Sequence, residues 1–278
     1  MQSNFIETNH IRLHYLCYAG GVPTIILMHG LTANAHAFDG LIAAGLSPAF
    51  TVISVDLRGR GLSDQPATGY TMAEHAKDII GLLDYLQIEK AIMGGHSYGA
   101  LLSFYLAAYY PERVDKMILL DAAARMHENT RAMLVPAMSR IGQSFPSFEI
   151  YLNQVKTAPY LTKWDEAMLS YYKADTLQNN DGTVTQRSQP AHIAAAITNV
   201  LAEPWMEYIT GVTQEAILIN GPEVYTLDAA LLPKENALET VKLMQHCSYT
   251  AVPGNHQTML YGAGAIAITK AITSFLKK

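Results

Sequence analysis

The residues Gly95-His96-Ser97-Tyr98-Gly99 set a serine between two glycines at a point where the chain changes character. Residues 91–94 form a short apolar run that reads as a buried strand. Residues 100–108 have the length and apolar content of a buried helix. A strand that turns sharply into a helix through a serine forces that residue into strained backbone geometry. Gly95 and Gly99 leave room for strand and helix to approach closely. The Ser97 hydroxyl then stands clear of the sheet at a helix N-terminus, where free backbone N–H groups favour a developing negative charge. Such a serine is a candidate nucleophile.

A serine hydroxyl attacks poorly unless a base removes its proton. Ten histidines are available, and His256 has the strongest claim. It follows the strand-like run 248–252 across the turn Pro253-Gly254-Asn255. A loop at the end of a late strand lies at the carboxyl edge of a parallel sheet, on the same side as Ser97. Attack on a carbonyl also needs two backbone N–H groups aimed at the oxyanion. Tyr98, directly after the nucleophile, supplies one. The loop His29-Gly30-Leu31-Thr32 supplies the other, with Gly30 letting the backbone turn so that the Leu31 N–H points inward. His29 reads as a structural hydrogen-bonding residue, and the nearby Asn34 and His36 receive no role.

These groups need a scaffold that delivers them to one edge. Apolar runs alternate with helical stretches, the pattern of a mostly parallel sheet wrapped by helices. Residues 11–18 read as an early antiparallel strand; 24–28, 51–55, 91–94, 117–120, 216–220 and 248–252 read as buried strands. Residues 72–86 read as a helix with Thr71 as N-cap and Ile79, Leu82, Leu83 and Leu86 on its apolar face. A last helix over 265–276 is expected to bury Ile266, Ile268, Ile272, Phe275 and Leu276, ahead of Lys277 and Lys278. Between residues 125 and 209 the strand rhythm stops. Helical stretches at 130–141, 148–155, 165–173 and 190–201 follow one another, with Asn179-Asn180-Asp181-Gly182 as a turn and no strand-like run. The expected organisation is a core of residues 1–124 and 210–278 with a helical cap, 125–209, inserted between late strands. The cap's aromatics, among them Tyr151, Tyr160, Tyr171 and Tyr172, are expected mainly in its own core, a minority lining a pocket.

With His29-Gly30, the stretch Asp56-Leu57-Arg58-Gly59-Arg60-Gly61-Leu62-Ser63-Asp64, the serine elbow and Gly254-Asn255-His256 in this order, the chain resembles capped α/β-hydrolase-fold proteins over essentially its whole length. The resemblance implies Ser97 as nucleophile, His256 as general base and acid, and cleavage of an ester-like bond through an acyl-enzyme. The stretch 56–64 matches a structural turn of such proteins and is assigned no chemistry. Serine rather than aspartate at position 97 sets the chain apart from the haloalkane dehalogenase and epoxide hydrolase branches, which need a carboxylate nucleophile. The acid departs from the commonest family pattern. That pattern has a strand ending in Gly with Asp three residues on; here Ile219-Asn220-Gly221 leads to Val224. A family variation places the acid after the preceding strand, which ends in Asp121, one helix and one strand beyond Ser97. Asp121 is therefore the first candidate to hold the histidine tautomer, with Asp228 and Glu223 as alternatives.

Composition narrows the remaining choices. Of 278 residues, 50% are hydrophobic and 15% charged, enough to bury a sizeable core. A net charge of −5 gives no case for nucleic acid or an anionic membrane surface. No leader-like N-terminus and no span-length apolar run is visible, and Cys17 and Cys247 form no redox or metal motif. A cytoplasmic protein with two inert, buried thiols is the expectation. Without metal cluster, phosphate-cradling loop or cofactor motif, the chemistry is expected to be cofactor-free, with a small-molecule ester as substrate. Met126, Met133, Met138 and Met168 suggest an adaptable apolar pocket, whereas Arg125, Arg131, Arg140 and Lys163 leave an anionic substrate open. The expected activity is that of a carboxylic ester hydrolase on small to medium apolar acyl groups. Lactone, thioester or carbon–carbon bond cleavage and cofactor-free perhydrolysis would use the same triad. A triad-retaining ligand sensor with little turnover is the alternative of a different class.

Overall fold

The computed structural model describes residues 1–277, so Lys278 lies outside the described residues. Eight strands form the main sheet: β1 (Gln2–Thr8), β2 (Ile11–Tyr18), β3 (Thr24–Met28), β4 (Thr51–Val55), β5 (Ala91–His96), β6 (Val114–Leu120), and, after three short strands described below, β10 (Glu215–Asn220) and β11 (Cys247–Ala251). Their order is β1-β2-β4-β3-β5-β6-β10-β11. β2 runs antiparallel to both β1 and β4, and every pairing from β4 to β11 is parallel. A parallel sheet must be covered on both faces, and the strand sequences follow from that. In β3, Ile26 and Met28 enter one hydrophobic cluster while Ile25 and Leu27 enter the other; Met117 and Leu119 against Ile118 and Leu120 repeat the division in β6. The helices Met72–Tyr85 and Tyr98–Tyr109 pack on the first face, and Gly262–Leu276 on the second.

The expected strands are all present: 11–18, 24–28 and 51–55 with the expected ends, β5, β6 and β10 longer, and β11 one residue earlier. β1 is an addition that the sequence reading missed. It is an edge strand with only Ile6 buried, so period-2 hydrophobicity barely registers. Its signal lies in the turn: Asn9 and His10 take φ of 44° and 62°, the paired left-handed conformation of a two-residue hairpin. Thr71 caps its helix as expected, accepting from the Glu74 N–H. The last helix begins three residues earlier than expected, and Ile266, expected inside, lies outside. Ile266 is 63% exposed, because at about 100° per residue it lies opposite Ile268; Gly264, Ala265, Ile268, Thr269, Ile272 and Phe275 form the buried face instead.

Between β6 and β10 the chain forms the helices Thr130–Met138, Phe148–Lys156, Met168–Ala174, Pro190–Ala202 and Trp205–Gly211. The expectation of no strand there is corrected by a three-stranded antiparallel sheet, β7 (Ser144–Phe145), β8 (Thr176–Gln178) and β9 (Val184–Gln186), in the order β7-β9-β8. Two or three mostly polar residues per strand are too few to show alternation. The expected turn at 179–182 is present, but it joins two strands, β8 and β9, with Gly182 at φ 86°. Trp205–Gly211 packs Ile209 into the first core cluster, which makes it the crossover helix that the parallel pairing of β6 with β10 requires.

The serine elbow is the tightest point of the fold. A Cβ on Gly99 would stand 1.9 Å from the Met28 carbonyl oxygen, and one on Gly95 2.1 Å from the Gly99 carbonyl carbon. Both obstacles are backbone and cannot swing away. Gly99→Ala should therefore lower stability by about 2–3 kcal/mol or more, the scale of overpacked cores. A fall in the urea midpoint would register this; an unchanged midpoint would show that the elbow is not sterically fixed.

Candidate active site

Ser97 sits between β5 and the Tyr98–Tyr109 helix with φ 54° and ψ −116°, the strained geometry expected of a residue on such a turn. Its N–H donates to the Leu120 carbonyl at 2.9 Å, tying the elbow to the end of β6. The next residue on that strand is Asp121, itself at φ 51° and fully buried. His256 arrives from the loop after β11, where Gly254 turns the chain at φ 106°. The His256 Nδ1 lies 2.7 Å from Asp121 Oδ2. A carboxylate there fixes the proton on Nδ1 and leaves Nε2 as the free base. The other carboxylate oxygen, Oδ1, accepts from Asn220 Nδ2 at 2.8 Å and from the Gly221 N–H at 2.7 Å.

Ser97 and His256 line one cavity of about 60 Å³ together with Gly30, Leu31, His96 and, from the segment between β6 and β10, Leu134, Ala137, Met138 and Tyr171. Tyr225 closes against the His256 ring at 5.5 Å, nearly edge-on. Leu31 lines the cavity from the loop after β3, and Tyr98, as the first residue of its helix, has an N–H without an intrahelical partner. Leu31 therefore shares the cavity with Ser97, and Tyr98 follows Ser97 directly in the chain. At Gly30 a side chain would crowd the site. Its φ is not left-handed; instead a Cβ would stand 3.2 Å from His96 Nδ1 and 3.6 Å from the Ser97 Cβ.

The two alternative acids lie elsewhere. Glu223 accepts the Gly254 N–H at 2.8 Å and so braces the turn before His256, and Asp228 is exposed at φ 55° in its own turn. Of the four methionines singled out, Met138 alone lines this cavity; Met133 and Met168 are packed in the core. None of Arg125, Arg131, Arg140 and Lys163 reaches it. Of the aromatics between β6 and β10, Tyr171 does, while Tyr151, Tyr160 and Tyr172 pack together around Arg140 and Asp175. Cys17 and Cys247 are half-buried rather than fully buried, lying on β2 and on the edge strand β11; burial still pushes the Cys247 thiol up to about 12.

Three residues of the site escaped the sequence reading. His96, the variable position before the serine, has its Nε2 2.8 Å from the His256 carbonyl oxygen and its ring 4.5 Å from the His256 ring. That carbonyl can only accept, so Nε2 carries the proton. Burial, reinforced by the neighbouring His256, holds His96 well below the ordinary histidine range and keeps it neutral. Asn220 and Tyr249 extend the acid's network, the Tyr249 hydroxyl donating to Asn220 Oδ1 at 3.0 Å. Asn34 and His36 now have partners. Asn34 caps the turn Ala35–Phe38 and donates to the Tyr171 carbonyl, and His36 pairs with Asp39 at 2.8 Å.

The fold and this arrangement of serine, histidine and carboxylate at the carboxyl edge define an α/β hydrolase. A sequence profile described as "alpha/beta hydrolase fold" matches residues 23–168, and the chain belongs to that family. It is 30% identical over 261 residues to the 2-(acetamidomethylene)succinate hydrolase of Mesorhizobium japonicum, spanning 92% of this chain and 89% of that one. The crystal structure of an E-2-(acetamidomethylene)succinate hydrolase superposes with a TM-score of 0.87 at 26% identity, covering 100% of this chain and 99% of the other. A soluble epoxide hydrolase of Corynebacterium sp. is 32% identical over 138 residues, half of this chain and 43% of its own length. The chain is therefore a hydrolase-superfamily protein, and among the described residues no helix is long and apolar enough to cross a membrane.

His29 is fully enclosed, donating from Nδ1 to the Gly30 carbonyl at 2.7 Å and accepting the Leu57 N–H on Nε2 at 3.1 Å. Burial, opposed in part by Asp56, lowers its pKa from 6.5 to about 4. As pH falls through 6.5 the unfolded chain takes up this proton while the folded chain does not, so stability is complete above that range and is lost progressively toward pH 4. The full effect is about 3 kcal/mol. Urea midpoints between pH 7 and 4 should fall with acid, and His29→Gln should flatten that slope by one proton. An unaltered slope would mean that His29 titrates normally.

Proposed function

We propose that the protein is a serine hydrolase that cleaves carboxylic esters of small, apolar acyl groups through an acyl-enzyme on Ser97. One observation supports this above the others: the Asp121–His256 pair, 2.7 Å apart, opens onto the same cavity as the strained Ser97. In this reading His256 Nε2 takes the Ser97 proton as Oγ bonds to the acyl carbon. The carbonyl electron pair moves onto oxygen, where the N–H groups of Leu31 and Tyr98 receive it. When the pair returns, the carbon–oxygen bond to the alcohol breaks and the alcohol leaves with the proton from His256. Water then repeats the sequence and frees the acid. Asp121 accepts the Nδ1–H throughout and stabilises the imidazolium. The small, largely apolar lining suits a short acyl chain, and the residues that line the cavity include no lysine or arginine to hold a substrate carboxylate. In the same reading the segment between β6 and β10 acts as a cap, since Leu134, Ala137, Met138 and Tyr171 close the acyl side.

A second reading is carbon–nitrogen cleavage, favoured by the 30% identity to a relative named for an acetamido compound. A panel of acetyl esters and acetyl enamides separates the two readings by kcat/KM.

A serine-directed phosphonate should add its mass to the peptide containing Ser97, and Ser97→Ala should abolish both labelling and turnover. Asp121→Asn should reduce kcat by up to about 10⁴, whereas Glu223→Gln and Asp228→Asn should cost far less. Retained turnover in Asp121→Asn with loss in either of the others would move the acid to the later loop. Met138→Ala should raise kcat/KM for a butyrate ester several-fold relative to the acetate, on the scale of a methylene's worth of pocket. A uniform change across acyl lengths would remove this wall from substrate selection.

A further inference from the structure

The glycine-flanked Arg60, which the sequence reading left without a role, occupies an unusual place. Gly59 and Gly61 adopt φ of 76° and 53°, and side chains there would collide with Tyr70 and with the Asp56 carboxyl group. The turn they allow drives the Arg60 side chain inward until none of it is exposed. Its Nε donates to the Leu31 carbonyl at 3.0 Å, and one terminal nitrogen, Nη1, donates to the Arg58 carbonyl at 2.8 Å. Nη1 also lies 3.4 Å from His75 Nε2, an acceptor because His75 Nδ1 gives its proton to the Thr71 carbonyl. The guanidinium carbon lies 5.6 Å from the Tyr98 ring centre and 5.8 Å from that of Tyr70. The other terminal nitrogen, Nη2, has no hydrogen-bond partner.

Arg58, two residues earlier, shows what an ordinary buried arginine of this fold does. It forks onto Asp78 with two bonds of 2.6 Å and is neutralised there. Arg60 has no carboxylate in ion-pair contact among the described residues. Burying a cation without a counter-charge is costly, and such a cost is tolerated where it serves a site.

We infer that Arg60 is a positioning residue for the oxyanion hole, bracing Leu31 by its carbonyl and Tyr98 by its ring from behind the cavity. The inference rests on the serine-hydrolase reading of Ser97, Leu31 and Tyr98. Arg60 lines no part of the cavity, so it acts through the two donors and through its uncompensated charge. A neutral ester carbonyl gains little from either. The tetrahedral oxyanion gains more, because it carries a full negative charge in a water-poor setting. The effect therefore belongs to kcat rather than KM.

Arg60→Met keeps the length of the side chain and removes charge and donors; Arg60→Lys keeps charge but loses the planar Nε bond to Leu31. With an acetyl ester, Arg60→Met should lower kcat about 10- to 100-fold with KM within about twofold, less than the loss of a direct oxyanion donor. Affinity for an acyl trifluoromethyl ketone, which captures Ser97 as an anionic tetrahedral adduct, should fall by the same factor. Arg60→Lys should recover part of both. Unchanged kcat in the two variants, or a loss carried by KM with ketone affinity intact, overturns the inference. Should Arg60→Met not fold, by circular dichroism, Arg60→Lys decides alone by the same kcat-against-KM split. Ser97→Ala assayed in parallel keeps the two claims apart: turnover surviving in it overturns the serine reading, whereas its loss beside an indifferent Arg60 overturns only the bracing.

Discussion

The carboxylate of Asp121 is the knot on which the site depends. It is fully buried, and a buried charge survives only if its lone pairs are taken up. One oxygen faces the His256 ring, and the other accepts from the side chain of Asn220 and the backbone of Gly221. Three strand ends therefore converge on one group: β6 carries it, β10 satisfies it, and the loop after β11 uses it. The preceding residue, Leu120, holds the Ser97 N–H, so the elbow after β5 is tied to the same point. Loss of the charge would release the histidine. Loss of its partners would leave an uncompensated carboxylate beneath it.

Around that knot the site is held by close contacts between neighbouring elements. Gly99 lies against the Met28 carbonyl, Gly30 against His96, and the His256 carbonyl against His96 Nε2. Each contact joins a loop at the carboxyl edge to a neighbour rather than to solvent. This is the physical content of a preorganised site: the groups are held by buried neighbours before any substrate enters.

Much of this was legible in the sequence, for identifiable reasons. The strands β3, β4, β5, β6 and β10 are short, β-branched or apolar runs with most residues buried, so their composition alone marks them, whereas the edge strand β11 is only half-buried. Ser97 and Asp121 stand out as candidates because glycine spacing and strand ends are local signals. His96, Asn220 and Arg60 do not, because their partners lie on other elements: His256 is 160 residues from His96, and Asp121 is 99 from Asn220. Such roles arise from sheet order, which a single chain does not spell out. β7, β8 and β9 were missed for the opposite reason, being too short and too polar to carry a periodic pattern. Ile266 was placed inside because every apolar residue of the last helix was credited to one face.

The segment between β6 and β10 leaves and rejoins the sheet on adjacent parallel strands, with Ile217 beside Ile118 and Ile219 beside Leu120. Its last helix, Trp205–Gly211, already provides the crossover that this pairing demands. Everything before that helix is extra chain, closed at its base by neighbouring strands whatever its size, and closure entropy grows only slowly with length. It is fastened to the body largely through main-chain carbonyls: Asn34 holds that of Tyr171, Gln65 that of Arg187, and Asn255 that of Tyr160, while Asn199 reaches back to Tyr70. Bonds to main chain do not depend on which side chains surround them. The wall over the serine can therefore be rewritten residue by residue, or lengthened, while the sheet and its buried carboxylate stay as they are.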